Sequence, residues 1–502
     1  MLEHDPEWTL YRAEQARELD RRAIEERGIP GYTLMCRAGE AVFAAVRECR
    51  PGARRLAVVC GAGNNGGDGF VVARLAHRAG REVEVLELVE ASRLRGDAAT
   101  ARSECVAAGV TPRPFDAARL ARAEVIVDAV FGTGLDREVG GAWRAALEAI
   151  DGQGAPVVAV DIPSGLHADT GAVLGVAVHA AATVTFIARK AGLYSGEGPA
   201  YRGALYFDAL GVPADLYGGL EPAALRLDPV GLARLLAPRP RSAHKGCYGH
   251  VLLVGGERGM GGALRMAGAA AGRVGAGLVS LATRAEHAAA LSAGAPELMA
   301  HGVGGPGDLG ALLGRATVVA VGPGLGRGRW GVDLFGSLLD SRLPLVVDAD
   351  ALNLLAREPV ARGNWVLTPH PGEAARLLST DTGAVQRDRY AMARALAERY
   401  AAVVVLKGAG TVIQAGEGAP WVAEVGNPGM ASGGMGDVLT GVIAALLAQG
   451  LDPAAAARLG VYLHGAAADA AARAGGERGL LASDLLPELR RLANPHQFPW
   501  NG

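Results

Sequence analysis

The sequence predicts an α/β protein built from two doubly wound domains, and three observations support this fold class. The chain has 502 residues, which is enough for two large domains. Short, almost continuously apolar segments alternate with helical segments in each half, as in parallel sheets covered by helices on both faces. A Pro- and Arg-rich segment at 237–243 interrupts this alternation and is typical of a linker. We therefore expect domains at 1–222 and 235–497.

The expected elements follow from the apolar pattern. Apolar residues recur at helical spacing over 10–27, and Gly28 is suited to end that helix. A second, largely apolar helix is expected at 438–449. The strands expected in the first domain span 56–60, 82–88, 124–130, 156–162, 182–188 and 204–210. Those of the second span 250–256, 278–283, 316–322, 343–349, 365–369 and 402–408.

Composition excludes several classes of function. A formal net charge of -2 and an aromatic content of 5% argue against nucleic-acid and membrane partners. The five cysteines lack metal-site spacing, which favours a reducing compartment. The polar N-terminal segment does not resemble a signal peptide, and no apolar run is long enough for a membrane helix. We therefore expect a cytoplasmic protein, and we expect it to form a homo-oligomer.

The first glycine-rich segment, "GAGNNGGDG" at 61–69, follows a predicted strand. Gly61, Gly63 and Gly66 match G-x-G-x-x-G, a weak indication of dinucleotide binding when it stands alone. Asp68 would repel a pyrophosphate docked on the adjacent amides. A conventional dehydrogenase is therefore doubtful, and the two asparagines indicate a polar ligand or a hard cation.

Four polar residues of the first domain follow strands at the expected ligand-binding edge of the sheet. Each has a simpler structural interpretation: asparagines beside glycines often form turns, and Asp161 could cap a helix. Lys190, taken alone, is interpreted as a surface lysine. Clustering at one edge favours a site that contains Asn65, Asp128, Asp161 and Ser164.

Three ordered motifs, "GAGNNGGDG", "DAVFGTGL" at 128–135 and "VDIPSG" at 160–165, resemble the NAD(P)HX epimerase domain, which has a Rossmann-like fold, over nearly all of 10–215. The substrate of that family is NADH or NADPH hydrated at the nicotinamide ring, so the resemblance implies dinucleotide binding without hydride transfer. It implies a catalytic Asp161 and potassium ligands at Asn65, Asp128 and Ser164. The implied substrate contacts are Asn64, Asn65, Gly66, Gly67, Asp68, Gly132, Thr133, Gly134, Leu135, Asp136, Arg137, Glu138 and Asp161.

In the second half, "GNPGMASGGMGDVLTG" at 426–441 carries the clearest chemistry. A glycine turn that leads into a helix offers free amides to a phosphate. Asp437, placed near that helix start, could accept a proton from an attacking hydroxyl or could simply cap the helix. The segment lacks the P-loop pattern G-x-x-x-x-G-K-[ST].

Together with "GPGLG" at 322–326, "LTPHPGE" at 367–373 and "LKGAGT" at 406–411, this segment resembles the ADP-dependent NAD(P)HX dehydratase domain, of ribokinase-like fold, over 235–495. The resemblance implies a catalytic Asp437 and substrate contacts at Ala263, Gly324, His370 and Asp437. It implies a nucleotide site at Lys407, Gly408, Ala409, Gly410, Thr411 and Gly436. Met435 departs from the family, which often has a small hydroxylated residue there.

The whole chain thus resembles the bacterial family of bifunctional NAD(P)HX repair enzymes, in which an epimerase and a dehydratase are fused. The resemblance implies potassium, magnesium and a phosphoryl donor that is either ADP or ATP. An alternative is a ribokinase-like small-molecule kinase with a non-catalytic Rossmann-like binding domain. The sequence leaves open the choice between NADH and NADPH.

Overall fold

A computed structural model describes residues 7–500. The chain divides into two compact units, Met1–Leu225 and Arg226–Gly502. Among the described helices, none combines the length and the apolar character needed to span a bilayer.

The first unit consists of short strands and six α-helices within its described residues. Its strands are β1 (Thr9–Leu10), β2 (Arg55–Cys60), β3 (Glu82–Glu87), β4 (Arg113–Pro114), β5 (Val125–Ala129), β6 (Val157–Val160), β7 (Ala182–Phe186) and β8 (Ala204–Asp208), with β9 (Ala224–Arg226) at the unit boundary. Its helices are α1 (Ala13–Glu25), α2 (Gly31–Cys49), α3 (Asn64–Arg78), α4 (Gly96–Ala107), α5 (Gly141–Asp151) and α6 (Gly198–Tyr201).

The main sheet of the first unit has the strand order β4-β3-β2-β5-β6-β7-β8, and all its pairs are parallel. This order reverses between β2 and β5, as in Rossmann-like folds, whose ligands bind beyond the carboxyl ends of the strands at the reversal. The predicted doubly wound sheet and its six strands are confirmed. Strand β4, which is exposed and only two residues long, was not predicted because it lacks an apolar pattern.

Two helix boundaries of the first unit differ from the sequence expectation. Helix α1 begins at Ala13 because Leu10 pairs with Ala224 in a short antiparallel bridge between β1 and β9. Helix α3 begins at Asn64, so the glycine turn is confined to 61–63. The asparagines and Asp68 therefore lie in the first turns of a helix, whose backbone amides point toward the carboxyl end of β2.

The second unit has a longer set of elements. Its strands are β10 (His250–Val254), β11 (Leu278–Thr283), β12 (Met299–Gly302), β13 (Val318–Val321), β14 (Leu345–Val347), β15 (Trp365–Leu367), β16 (Val403–Leu406), β17 (Thr411–Gln414) and β18 (Trp421–Ala423). Its helices are α7 (Pro229–Ala233), α8 (Gly261–Val274), α9 (Ala285–Gly294), α10 (Pro306–Leu313), α11 (Arg329–Leu338), α12 (Ala349–Arg357), α13 (Pro371–Leu378), α14 (Thr382–Arg387), α15 (Arg389–Tyr400), α16 (Met435–Ala448), α17 (Pro453–Gly475) and α18 (Leu485–Leu492).

The sheet of the second unit runs β18-β17-β16-β15-β14-β13-β10-β11-β12. The six predicted strands are present, and their pairs from β10 to β16 are parallel. Strands β17 and β18 add an antiparallel edge that was not predicted. Helix α16 begins at Met435, three residues before the predicted start, so Asp437 lies inside its first turn.

The central contact of the second unit is the packing of α16 against α8. Every residue of α16 from Val438 to Leu447 is buried, which explains its continuous apolar sequence. Gly441 allows the two helix backbones to approach closely, because a Cβ there would lie 1.9 Å from the carbonyl oxygen of Ala267. This contact fixes the start of α16 relative to the sheet.

Replacing Gly441 by Ala is expected to lower the free energy of unfolding of the second unit by about 1–3 kcal/mol, because the added methyl overpacks a backbone contact. The matched control is Gly272→Ala in α8, where an added Cβ would meet nothing within 4 Å. That control should be neutral or stabilising by up to about 1 kcal/mol. Urea unfolding followed by intrinsic fluorescence measures both, and equal stability of the two variants would contradict the packing argument.

Candidate active sites

The first unit has a cavity of about 490 Å³ at the carboxyl ends of its strands. Its walls come from the segments that follow β2, β5, β6 and β7, together with α1 and α2. The structure therefore brings together several residues that the sequence analysis placed far apart in the chain. The predicted site residues that line it are Asn64, Asn65, Asp68, Gly132, Thr133, Gly134, Leu135 and Asp161.

Other predicted contacts of this unit lie outside the cavity wall. The side chains of Asp136, Arg137 and Glu138 are exposed beyond it. Gly66 and Gly67 are buried in α3, where a Cβ would lie 2.2 Å from the Gly61 carbonyl oxygen and 2.5 Å from Met35, respectively. These two glycines therefore allow α3 to pack closely.

Asp161 follows β6 directly and forms an ion pair with Lys190. Its Oδ1 atom also accepts hydrogen bonds from the Thr185 hydroxyl and the Phe186 amide, each at 3.3 Å. Asp161 has a φ of 66°, an uncommon conformation for a residue other than glycine. Such a conformation at a strand end is often retained for function.

Lys190 is buried, so its interpretation as a surface lysine is wrong. Its Nζ atom donates to the Thr185 hydroxyl at 3.2 Å and to the Phe186 carbonyl at 2.9 Å, in addition to the ion pair with Asp161. A buried ammonium needs such partners because burial disfavours an unpaired charge. No local sequence pattern indicates this pairing, since the whole of β7 and the loop before it lie between the two residues.

Two further carboxyl groups, Asp20 of α1 and Asp68 of α3, line the same cavity. Burial raises the pKa of Asp68 well above its usual value, with further contributions from the charges of Asp161 and Asp20. Burial likewise raises the pKa of Asp20. Both shifts favour the uncharged form, which weakens the objection that Asp68 would repel a bound phosphate. Asp20 was missed because it lies on a helix far upstream of the motifs.

Behind the cavity wall, Asp128 and Ser164 are fully buried and bonded to each other. The Asp128 carboxylate accepts from the Ser164 hydroxyl at 2.6 Å and from the Ser164 amide at 2.8 Å. Burial raises the pKa of Asp128 to about 6, although these hydrogen bonds oppose the shift. The Ser164 hydroxyl also accepts from the amide of Phe131, and a Cβ on Gly132 would lie 3.2 Å from Asn65 Oδ1.

The donors around Asp128 suit a potassium ion. Asn65, Asp128 and Ser164 supply amide, carboxylate and hydroxyl oxygens, the ligand class that hard cations prefer. The buried amide nitrogen of Asn65 has no hydrogen-bond partner among the described residues. That nitrogen is a donor and does not ligate a cation, so the fit rests on the fully buried Asp128 carboxylate and on the oxygens of Ser164 and Asn65.

In the second unit, Asp437 lies in the first turn of α16. The first amides of a helix lack intrahelical partners, so this turn offers N–H groups to an anion. The Met435 side chain is buried, while its backbone belongs to the same turn. Burial raises the pKa of Asp437 to about 6, with the charge of Asp348 adding to the shift and Lys407 opposing it.

Lys407, which follows β16, points toward this turn. Its Nζ atom donates to the Asp348 carboxylate at 2.7 Å, and a Cβ on Gly436 would lie 3.3 Å from it. Glu373 occurs in the motif at 367–373 and Asp348 lies near the end of the predicted strand 343–349, but neither was assigned a role. Burial alone would lower the pKa of Lys407, but Asp348, Glu373 and Asp437 outweigh it and raise this pKa.

The remaining residues of the predicted nucleotide segment form a turn after Lys407. The Thr411 hydroxyl donates to the Gly408 carbonyl at 2.9 Å, while Gly408 and Ala409 are exposed. Gly410 has a φ of 60°, which this turn requires. The segment 407–411 therefore has two parts: Lys407, which is directed at α16, and a turn whose residues Gly408 and Ala409 are exposed to solvent.

His370 caps helix α13, and its imidazole Nδ1 accepts from the amides of Gly372 at 3.0 Å and Glu373 at 3.4 Å. This assigns the imidazole proton to Nε2 when the ring is neutral. Burial lowers the pKa of His370, with the positive charges of Lys407 and Arg376 adding to the shift. His370 is therefore arranged as a hydrogen-bond donor. Glu373, whose pKa burial raises to about 7, accepts from the His370 amide at 2.8 Å.

The other two predicted substrate contacts of the second unit are neighbours. A Cβ on Gly324 would lie 3.5 Å from the Ala263 side chain and 2.7 Å from Met260. Gly324 follows β13, and Ala263 lies in the first turn of α8. Because β13 and β14 are adjacent parallel strands, this pair lies at the same sheet edge as Asp348.

These features define an α/β enzyme with two candidate active sites, each formed at the carboxyl edge of a doubly wound sheet. Two family models match the chain: YjeF-related protein N-terminus over residues 31–192 and NAD(P)H-hydrate dehydratase over residues 251–491. The bifunctional NAD(P)H-hydrate repair enzyme Nnr of Coxiella burnetii is 51% identical, and the alignment covers 97% of this chain and 99% of that protein. The enzyme of the same name from Escherichia coli is 45% identical, with 97% and 94% covered.

The chain belongs to the family of bifunctional NAD(P)H-hydrate repair enzymes, which confirms the resemblance found in the sequence. A hypothetical protein of known structure from Streptococcus mutans is 31% identical, covers 54% of this chain and 98% of its own, and has a TM-score of 0.50. An ADP/ATP-dependent NAD(P)H-hydrate dehydratase from Bacillus subtilis, co-crystallised with ATP and Mg²⁺, is 32% identical over 53% and 96% of the two chains, with a TM-score of 0.49. The predicted Rossmann-like and ribokinase-like fold classes are confirmed.

Proposed function

We propose that this chain restores NADH and NADPH that have been damaged by hydration of the nicotinamide ring. The first unit interconverts the R and S epimers of the hydrate, and the second unit dehydrates the S epimer at the expense of ADP or ATP. Family membership over 97% of the chain carries this proposal. It also disfavours the alternative of a small-molecule kinase with a non-catalytic first domain, because both halves match families of the repair enzyme.

Epimerisation at the first site would proceed through a cation. The hydroxyl of the hydrate is attached to a carbon beside the ring nitrogen, whose lone pair assists departure of the hydroxyl. A carboxyl group gives the departing oxygen a proton, water is released, and water then adds to either face of the ring as a carboxylate takes the proton back. Asp68, whose protonated form burial favours, is suited to the first role.

Asp161 is assigned to the charged role in this reaction. Thr185, Phe186 and Lys190 all donate hydrogen bonds to Oδ1 of this carboxylate. We assign Oδ2 to the substrate side, where its negative charge stabilises the cation and accepts the proton of the incoming water. Proton exchange with solvent then returns Asp68 and Asp161 to their starting states. Lys190 holds the carboxylate in place and balances its charge before substrate binds.

Asp161→Asn is expected to slow epimerisation roughly 100-fold or more, because the amide neither carries the charge nor accepts the proton. Chiral chromatography of purified R hydrate over time measures this rate above the spontaneous background. Dehydration of the S epimer by the second unit should be unchanged. The control is Asp116→Asn, at an exposed helix cap, which should behave as wild type. Wild-type epimerisation by Asp161→Asn would refute the assignment.

A potassium ion is proposed for the site of Asn65, Asp128 and Ser164. When bound, the ion balances the buried carboxylate and links the segment after β5 to α3. The support is the set of oxygen donors together with the complete burial of the Asp128 carboxylate.

Potassium chloride should raise the melting temperature of the first unit relative to tetramethylammonium chloride at equal ionic strength, because binding to the folded state stabilises it. Asp128→Asn and Ser164→Ala should each reduce this difference. The melting transition of the second unit serves as the internal control and should respond equally to both salts. A potassium effect that persists in both variants would place the ion elsewhere.

Dehydration at the second site is proposed to proceed by phosphoryl transfer. The hydroxyl of the hydrate attacks the terminal phosphorus of the nucleotide, Asp437 takes the hydroxyl proton, and the shortened nucleotide leaves. Phosphate then departs from the ring carbon while a proton leaves the neighbouring carbon, which restores the ring double bond. The amides of α16 and the Lys407 ammonium face the transferred group and balance its charge.

The nucleotide is placed at the turn from Lys407 to Thr411 and at Gly436, with substrate at Ala263, Gly324 and His370. We assign His370 Nε2, which lies 3.4 Å from Glu373 Oε1, to a hydrogen bond with a substrate oxygen. Magnesium is expected to arrive with the nucleotide, whose phosphates it neutralises. Within residues 7–500 there is no group of three or more His, Cys, Asp or Glu side chains suited to a metal.

Asp437→Asn is expected to reduce dehydration roughly 100-fold or more, while nucleotide binding persists. In the wild type, kcat/KM should rise as pH increases through about 6, because the raised pKa of Asp437 delays formation of its base form until then. Recovery of the reduced-nicotinamide absorbance measures turnover, and calorimetry with ADP or ATP measures binding. Normal turnover by the variant would refute the role of Asp437.

A cytoplasmic location and a homo-oligomeric state remain predictions. The scattered free cysteines support the first, and light scattering after size exclusion would measure the second.

A further inference from the structure

A chain of buried polar contacts links Lys407 to helix α16. The Lys407 ammonium donates to one oxygen of Asp348 at 2.7 Å, and the hydroxyl of Thr440 donates to the other oxygen at 2.8 Å. Asp348 is 1% exposed and Thr440 is fully buried. Each carboxylate oxygen thus has one partner, so the carboxylate cannot rotate without breaking a bond in a buried region.

The backbone around Asp348 is also constrained. Ala349, the next residue, has a φ of 48°, which is costly for a residue with a Cβ. On the other side, a Cβ on Gly322 would lie 1.8 Å from the Asp348 carbonyl oxygen, so only glycine fits there. Strand β14, the turn after β13 and α12 therefore fix Asp348 together.

Thr440 lies three residues after Asp437 on α16, and residues at that spacing share one face of a helix. The face that carries the proposed proton acceptor is therefore the face that binds Asp348. Gly436 lies one residue before Asp437, and a Cβ there would be 3.3 Å from Lys407 Nζ and 3.5 Å from an Asp348 oxygen. A side chain at this position would enter the space between α16 and the ion pair.

We infer that Asp348 and Thr440 are positioning residues of the dehydratase: they hold the Lys407 ammonium beneath the first turn of α16, facing the phosphoryl group and the Asp437 carboxylate. The inference rests on the roles proposed above for Lys407 and Asp437. Thr440 ties the pair to the same helix that supplies the amides, so that ammonium, amides and carboxylate keep a common geometry. The chemistry itself stays with Lys407, the amides and Asp437.

This arrangement has an electrostatic consequence. Asp437 is influenced by Asp348 at the end of β14, which raises its pKa, and by Lys407 at the end of β16, which lowers it. Lys407 is also influenced by Glu373 of α13 and is near enough to influence His370 and His464. Removing the charge of Asp348 while Lys407 remains charged should lower the pKa of Asp437.

The test compares Asp348→Asn, Thr440→Val and Thr440→Ser with wild type in the full chain. For Asp348→Asn, we expect kcat to fall roughly 10- to 100-fold because the ammonium loses its fixed position. The acid limb of kcat/KM should move to lower pH by about one unit because a nearby like charge is removed. Thr440→Val should lower kcat with little movement of that limb, and Thr440→Ser should restore kcat because it keeps the hydroxyl.

The control is Asp333→Asn, an exposed position on α11 that should change neither kcat nor the pH profile. A purely structural role would lower the melting temperature but leave kcat per folded molecule and the acid limb unchanged; that result overturns the inference. If Asp348→Asn does not fold, the comparison of Thr440→Val with Thr440→Ser tests the inference instead. Equal kcat values for these two variants would also overturn the inference. A failure of the proposed function can be told apart from a failure of this inference, because only in the first case would Asp437→Asn keep its dehydratase activity.

Discussion

Both units depend on the same physical constraint, the pairing of a lysine with an aspartate that directly follows a parallel strand. Lys190 pairs with Asp161 in the first unit, and Lys407 pairs with Asp348 in the second. Each aspartate either has a positive φ or precedes a residue that has one. A charge in such a place is tolerated only with a partner and hydrogen bonds, so each pair fixes several strand ends relative to one another. These pairs therefore set the positions of the groups that face the substrate.

The glycines of the motif at 61–69 show why this motif does not by itself indicate a dehydrogenase. A Cβ on Gly61 would lie 2.0 Å from the Val130 carbonyl oxygen, and one on Gly66 would lie 2.2 Å from the Gly61 carbonyl oxygen. These glycines bring the turn after β2, the start of α3 and the segment after β5 into backbone contact. The motif thus indicates tight packing at the reversal of strand order, the place where ligands of different kinds bind in this fold. It carries no information about hydride transfer.

The sequence predicted every parallel strand longer than four residues because buried parallel strands are continuously apolar. It did not predict β12, whose residues Met299 to Gly302 are partly exposed, or the antiparallel edge formed by β17 and β18. Among site residues, motif order was sufficient to propose Asp161 and Asp437. Lys190 and Asp20 could not be placed from local sequence, because what defines them is burial against residues distant in the chain. The pattern around a single lysine does not distinguish an exposed side chain from a buried one.

Fusion of the two activities follows from their thermodynamics. An epimerase only equilibrates two forms of similar free energy, so by itself it restores no cofactor. The dehydratase consumes one form irreversibly because nucleotide phosphate is spent in each turnover. Removal of the S epimer then draws the R form through the first site by mass action, whether or not the product passes directly between the sites. One chain supplies both sites in equal numbers, so the capacity to convert the R form is present wherever the S form is removed.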